Sequence, residues 1–256
     1  MKTVVLPERL VHAGSLILVN AAHPVRADAE ERVLVPVRPA QNDMLLDRRA
    51  IPLLAALMDE IGGWEKIRAV SAYRSRREQA ELYRDSLTQN GRAFTERFVA
   101  RSGCSEHETG LAVDLGRAGP DLDFIRPDFP YEGICQTFRA RAPSHGFVER
   151  YPAGKEAVTG IAHEPWHFRY VGVPHAALMA EKGLCLEEYH AYLKGFLFGR
   201  ACVSCRTGGR TICVSYLSAS KGTGTAFEIG ENVPYAVSGN NEDGFVIARW
   251  GDENDF

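Results

Sequence analysis

The sequence has 256 residues, 45% of them hydrophobic, enough to bury a full core in one large domain or in one domain with a small lobe. A net charge of −3 offers no basic field for nucleic acid. The first nine residues are interrupted by Pro7, Glu8 and Arg9 and lack the apolar core of a secretory leader, and no apolar run approaches the ~18 residues that span a bilayer. With the six scattered cysteines read as thiols, the expectation is a cytoplasmic protein with neither membrane nor nucleic-acid partners.

Residues 1–42 alternate short apolar runs with proline and polar breaks, which predicts extended segments that carry Asn20 near a cleft. From Asp47 to Ile61 the residues Ile51, Leu54, Leu57, Met58 and Ile61 recur at helical spacing, and Gly62-Gly63 ends the pattern. Residues 67–73 read as a strand running into Arg74. Ser75 and Glu78 then form a capping box for a helix from about Arg76 to Asn90, with Gln79 in its first turn. Residues 117–131, rich in proline and carrying Asp121, Asp123 and Asp128, predict a long loop beside the cleft. A short helix (131–141), a strand (146–151), a loop (152–159) and an aromatic-rich strand (164–171) follow, then helices over 174–182 and 186–197. After Gly199, Gly and Ser become frequent, and β-prone runs at 211–216, 226–229 and 244–248 predict a small β appendage.

Two stretches carry the chemistry. In Ser105–Asp114, His107 and Asp114 stand seven residues apart around the turn-prone Gly110, and Leu111-Ala112-Val113 leads directly into the acid. A carboxylate at the end of an apolar strand is costly to bury without a partner, and a metal is the strongest one. About fifty residues on, His163-Glu164-Pro165-Trp166-His167 supplies a second imidazole beside a second carboxylate. Two His, one Asp and one spare Glu make the inventory of a catalytic zinc site, with three ligands, an open position and a base. Either half alone reads more readily as a core histidine with a surface acid; the pairing carries the inference. Glu164 and His167 are three apart, so a regular strand would point them to opposite faces. Both reach one metal only where the backbone breaks, and Pro165 marks such a break.

The pattern Ser-x-His-x-x-Gly-x-Ala-x-Asp followed by Glu-x-Trp-His resembles the zinc D,D-peptidases of the VanX, VanY and VanXY group. Ser71-Ala72-Tyr73-Arg74-Ser75 with Gln79, and Leu18-Val19-Asn20 with Pro24, extend the resemblance over roughly residues 15–195. The resemblance implies that His107, Asp114 and His167 bind one zinc, that Glu164 is the general base and that Arg74 stabilises the oxyanion. It also implies that Ser105 and Gln79 bind the peptide substrate. The implied activity, of the cytoplasmic VanXY type, is hydrolysis of D-Ala-D-Ala or removal of the C-terminal D-Ala from pentapeptide precursors, which favours glycopeptide resistance. The expected fold is α+β, a central antiparallel sheet flanked by helices around a zinc cleft over residues 1–198, plus the β appendage over 199–256.

Two alternative readings fit less well. A phage-type endolysin would carry a wall-binding repeat, and the tail has no internal repeat; a hedgehog-type binding domain with little hydrolysis is disfavoured by an intact Glu164 and Arg74. Cys202-x-x-Cys205 with Cys213 lacks a fourth ligand at ribbon-like spacing, so buried thiols are expected there rather than a second zinc. Tyr73 is expected in the core, His163 partly buried, and Trp166 either in the core or walling the site.

Overall fold

The computed structural model describes residues 1–26, 33–38, 41–119, 122–123, 126–207 and 209–251; Asp121 of the acidic loop lies outside them. In chain order the elements are β1 (Lys2–Leu6), β2 (Leu34–Arg38), β3 (Gln41–Asp47), α1 (Ile51–Glu60), β4 (Ile67–Ser71), α2 (Arg76–Phe98) and β5 (Ala112–Arg117). Then come α3 (Gly133–Arg141), β6 (Phe147–Tyr151), α4 (Glu156–Thr159), β7 (Glu164–Tyr170), α5 (Val173–Lys182) and α6 (Leu186–Leu193). The last strands are β8 (Val203–Thr207), β9 (Arg210–Ser218), β10 (Thr225–Ile229), β11 (Tyr235–Gly239) and β12 (Gly244–Gly251).

The chain divides into two compact units. One holds Val19–Val25 and the chain from residue 32 through Cys185; the other gathers Met1–Leu18 with the part from Leu186 onward. The first is built on an antiparallel sheet of order β4-β5-β7-β6, as the α+β reading expects. Alternation along these strands sends Val113, Leu115, Phe147 and Phe168 to one face, where they pack with Leu54, Leu57 and Met58 of α1 and with Cys135 and Phe138 of α3. Each such side chain contributes roughly 1.5–3 kcal/mol on burial. The same alternation leaves Asp114, Arg150, His167 and Arg169 for the other face.

The capping box of α2 forms as predicted. Ser75 Oγ accepts from Glu78 N, and the Glu78 carboxylate accepts from Ser75 N at 2.8 Å. The first helical run ends at Asn90 as expected: Gly91 takes φ 77° and ψ 170°, outside helical space, and a second helical run then continues to Phe98. The expected loop 152–159 also contains the short α4, and α6 ends at Leu193 rather than 197.

The second unit pairs β11-β12-β9-β8 in one sheet and β1 with β10 in another. Strands β8 and β11 were not predicted. The division differs from the expected 1–198 and 199–256. Lys2–Leu6 pair antiparallel with Thr225–Ile229, and Leu6 and Val11 join Phe227, Ile229, Phe245 and Ile247 in one apolar cluster, so the start of the chain belongs with its end. The expectation for the cysteines is corrected too. The β8–β9 hairpin brings Cys202 and Cys213 to a Cα–Cα distance of 5.5 Å, and they form a disulfide; Cys205 takes no part in that bond.

Candidate active site

Asp114 of β5 lies directly opposite His167 of β7 in the ladder, which puts carboxylate and imidazole side by side on the polar face of the sheet. Asp114 Oδ1 is 2.9 Å from His167 Nδ1. His107 comes from a 3-10 turn, Glu106–Thr109, that closes on Gly110 at φ 71°. A Cβ there would lie 2.6 Å from a terminal methyl of Leu34, which can shift, so it is the left-handed backbone that favours glycine. His107 Nδ1 is 2.7 Å from the Ala72 carbonyl, which makes Nδ1 the donor and leaves Nε2 facing Asp114 Oδ2 at 3.1 Å.

His107, Asp114 and His167 thus present one ligand atom each, all within 4.8 Å of one another; among the described residues they are the one such group. Zinc bonds of ~2.0–2.2 Å space tetrahedral ligand atoms about 3.3 Å apart. The imidazoles approach different oxygens of Asp114, Oδ1 at 2.9 Å and Oδ2 at 3.1 Å, so the three groups already lie near that spacing, and two imidazoles with one carboxylate suit zinc. The donor set fits. Burial opposes the charge on Asp114, but His107 and His167 hold its carboxyl far below the usual range. Burial likewise opposes charge on His167, yet hydrogen bonds to Asp114 and Glu106 prevail and raise it to about 9.

The break expected at Pro165 is a β-bulge. Between the pairs Glu149↔Phe168 and Tyr151↔Glu164, β6 advances two residues while β7 advances four. The bulge turns Glu164 to the face of His167, with Oε2 3.9 Å from Nδ1. Glu164 is 7% exposed. Burial pushes its carboxyl up to about 8, with His167 and Arg74 pulling down and Asp114 pushing up. Arg139 holds the bulge by donating to the Pro165 carbonyl at 3.0 Å.

Arg74 leaves the end of β4 as a fork. One guanidinium nitrogen donates to Gln79 Oε1 at 2.6 Å and the other to Ser71 Oγ at 2.7 Å. Gln79 donates in turn to the Ala100 carbonyl at 2.7 Å. Both ends of Gln79 are therefore engaged in fixing Arg74 and the chain behind it. Burial lowers the Arg74 pKa, opposed by Asp114, Glu78, Glu108 and Glu164. A cleft of about 520 Å³ opens onto Arg74, Gln79, Ser105, His107, Asp114, Glu164 and His167, so all the predicted site residues converge on it. Tyr73, Tyr151 and Trp166 wall it. Tyr73, expected in the core, is a wall residue, and Trp166 serves both core and wall. A second cavity of about 250 Å³, between Val37, Met58, Trp64 and Leu115, is lined by other residues.

Asn20 accepts from the backbone of Ala22 and His23 and closes its own turn. In the acidic loop, Asp128 pairs with Arg117 and Asp123 accepts from Arg126 N. His163, partly buried as expected, meets the Tyr131 hydroxyl at 2.7 Å. Sequence reasoning missed Ser71, Glu106, Arg150 and Tyr151. Arginines inside the apolar strands 147–151 and 164–170 were an available signal, because a buried cation demands an anion.

The sequence profile of the VanY family, described as D-alanyl-D-alanine carboxypeptidase, matches residues 46–173. The bifunctional D-Ala-D-Ala dipeptidase and D-Ala-D-Ala carboxypeptidase VanXYC of Enterococcus gallinarum is 40% identical over 181 residues, covering 70% of this chain and 95% of that protein. Among solved structures, the vancomycin resistance D,D-dipeptidase VanXYg in complex with a D-Ala-D-Ala phosphinate analog superposes with a TM-score of 0.94 at 43% identity, over 98% of this chain and 99% of that one. A Zn(II) complex of the vancomycin resistance D,D-pentapeptidase VanY from a VanB-type cassette superposes with a TM-score of 0.57 at 31% identity, over 69% and 98% of the two chains.

Proposed function

Since this chain belongs to the VanY family of D-alanyl-D-alanine carboxypeptidases, we propose that it is a zinc-dependent D,D-peptidase of glycopeptide resistance. It hydrolyses the D-Ala-D-Ala dipeptide and removes the terminal D-Ala of peptidoglycan pentapeptide precursors. The observation that carries this reading is the convergence of His107, Asp114 and His167 with Glu164 and Arg74 on one cleft.

His107 Nε2, an Asp114 oxygen and His167 Nδ1 would hold one zinc per chain. Zinc bound there supplies a Lewis acid and lowers the pKa of water to ~7. Glu164, beside His167 and raised by burial, takes the proton of the attacking water and returns it to the leaving amine. The Arg74 fork, fixed by Ser71 and Gln79 before substrate arrives, meets the charge that grows on the scissile carbonyl oxygen. Ser105 hydrogen-bonds the peptide. Gln79, which lines the same cleft, binds the peptide with Ser105 and also holds Arg74 in place. Tyr151 and Trp166 exclude water from the reacting bond.

The same reading places the enzyme in the cytoplasm, where dipeptide and precursor are made. Among the described residues no helix is long and apolar enough to cross a membrane. The Cys202–Cys213 disulfide argues the other way, since such bonds are rare in reducing compartments, and cell fractionation decides between them.

The test offers zinc-loaded protein D-Ala-D-Ala, a D,D-terminated pentapeptide and an L,D-terminated tetrapeptide, and follows release of the free amino acid. Both D,D substrates are cleaved and the L,D bond hardly at all, because inverting the residue before the bond drives its side chain into the wall. Equal L,D and D,D rates, or dipeptide cleavage without pentapeptide cleavage, would overturn the reading.

A further inference from the structure

A metal ligand that is a ring needs more than a place in the sheet; it needs one ring orientation. The imidazole of His107 is fixed by the Ala72 carbonyl. His167 has a different device. Its Nε2 points away from Asp114 and lies 3.4 Å from Glu106 Oε2. Glu106 is fully buried, as are Arg150 and Arg169, and both arginines converge on its other oxygen, Oε1, each at 2.8 Å. The two guanidinium groups come from neighbouring strands, β6 and β7, on the face of the sheet that carries His167. The carboxylate comes from the residue immediately before His107. One carboxylate is thereby locked at Oε1 by two cations, with Oε2 presented to His167.

We propose that Glu106, braced by Arg150 and Arg169, is a positioning residue that takes the Nε2 proton of His167 as a hydrogen bond and so commits Nδ1 to the metal. This builds on the zinc-site reading above and adds residues which that reading leaves unused. Chemistry supports it. A neutral imidazole carries its proton on one nitrogen, and an anionic acceptor beside Nε2 keeps the proton there, leaving the Nδ1 lone pair toward Asp114. Outer carboxylates of this kind raise ligand basicity and fix the ring, and removing one typically weakens metal binding 10–100-fold. Two cations on one anion also explain why the carboxylate stays charged without the help of solvent.

The first test uses the unaltered zinc-loaded protein with ¹⁵N-labelled histidine. The His167 spectrum should show the proton on Nε2 and none on Nδ1; a proton on Nδ1 overturns the proposal. The second compares Glu106→Gln, checked for native fold by near-UV circular dichroism, by competition with a chromophoric zinc chelator. An amide cannot satisfy two guanidinium groups and still accept strongly from Nε2. The zinc dissociation constant should rise 10- to 100-fold, and Glu106→Asp should recover part of the loss. A folded Gln variant that melts earlier yet binds zinc within threefold of the parent assigns Glu106 a purely structural role and refutes the inference. Should the Gln variant fail to fold, the spectrum of the unaltered protein still decides. Neither measurement uses substrate, so a protein that binds zinc but spares D,D peptides defeats the activity reading and leaves this one standing.

Discussion

Replacing Glu164 with glutamine separates two consequences of one carboxylate. In catalysis the group moves a proton, and a positioned base typically contributes ~10²–10⁴-fold, so zinc-loaded Glu164→Gln should keep its metal and lose that much hydrolysis. In folding the same group is a liability. Its pKa rises from an ordinary 4.5 to about 8 because it is buried. Between those values the folded protein holds a proton that the unfolded chain has released, so stability falls as pH rises through the window. At about 1.4 kcal/mol per pH unit, the window sets a ceiling of about 5 kcal/mol. Relaxation and water entry reduce such penalties, and a gap of about 2 kcal/mol at pH 8 is the expected outcome. Glutamine carries no charge at any pH. With zinc removed by a chelator, urea unfolding should therefore find the variant more stable than the parent at pH 8 and nearly equal to it at pH 5. His167 titrates in both proteins, and because Glu164 is among the charges that raise it, part of the loss offsets the gain in the variant. A gap that does not change with pH would refute the burial argument, and near-parental turnover by the zinc-loaded variant would remove Glu164 from the mechanism.

Metal analysis should return one zinc per chain, lost on replacing His107, Asp114 or His167 with alanine; two per chain would mean that Cys205 and its neighbours hold a second ion. Arg74→Lys should retain zinc and lose roughly 10²–10³ in kcat, because one ammonium cannot span Ser71 and Gln79 while still facing the carbonyl oxygen; a variant above one tenth of the parental kcat would contradict this. A fragment of residues 19–185 should bind zinc as a folded unit, whereas cutting the full chain after Arg200 strips Leu6 and Val11 of Phe227, Ile229 and Phe245 and should lower solubility. A soluble 1–200 fragment beside an insoluble 19–185 fragment would reverse that partition.

The legible features of this sequence are those fixed by neighbours in the chain. The Ser75–Glu78 box sets the start of α2 from within four residues, and Gly110 can be read as a turn because glycine suits its left-handed φ at no steric cost. His107, Asp114 and His167 were legible as a set because their residue types and order match a family pattern; strand pairing then joins Asp114 to His167, and the 3-10 turn adds His107. What stayed hidden depends on register. Glu106 and Arg150 are 44 residues apart, and nothing local says that the arginine faces the same side as His167. Strand β1 meets β10 across more than two hundred residues, so the domain boundary could not be read from the change in composition after Gly199. The cysteine pair required the β8–β9 hairpin, and β8 itself lacks an apolar alternation strong enough to announce a strand.

The bulge in β7 is where fold and chemistry meet. A regular strand alternates, and β7 does so where it must: Phe168 goes to the core while His167 and Arg169 go to the polar face. Continued without a break, that alternation would send Glu164 to the face of Phe168, away from Asp114 and His167. Proline at 165 has no N–H to offer the ladder, so a break there forfeits no hydrogen bond that another residue would have made. Its carbonyl is recovered by Arg139, whose guanidinium also donates to the Phe129 and Pro130 carbonyls and pairs with Glu149. The cost of irregular backbone is thus offset by a buried cation that binds three carbonyls and one carboxylate. A carboxylate placed by a bulge anchored in this way has the fixed position that the proposed base needs for proton transfer over one hydrogen bond.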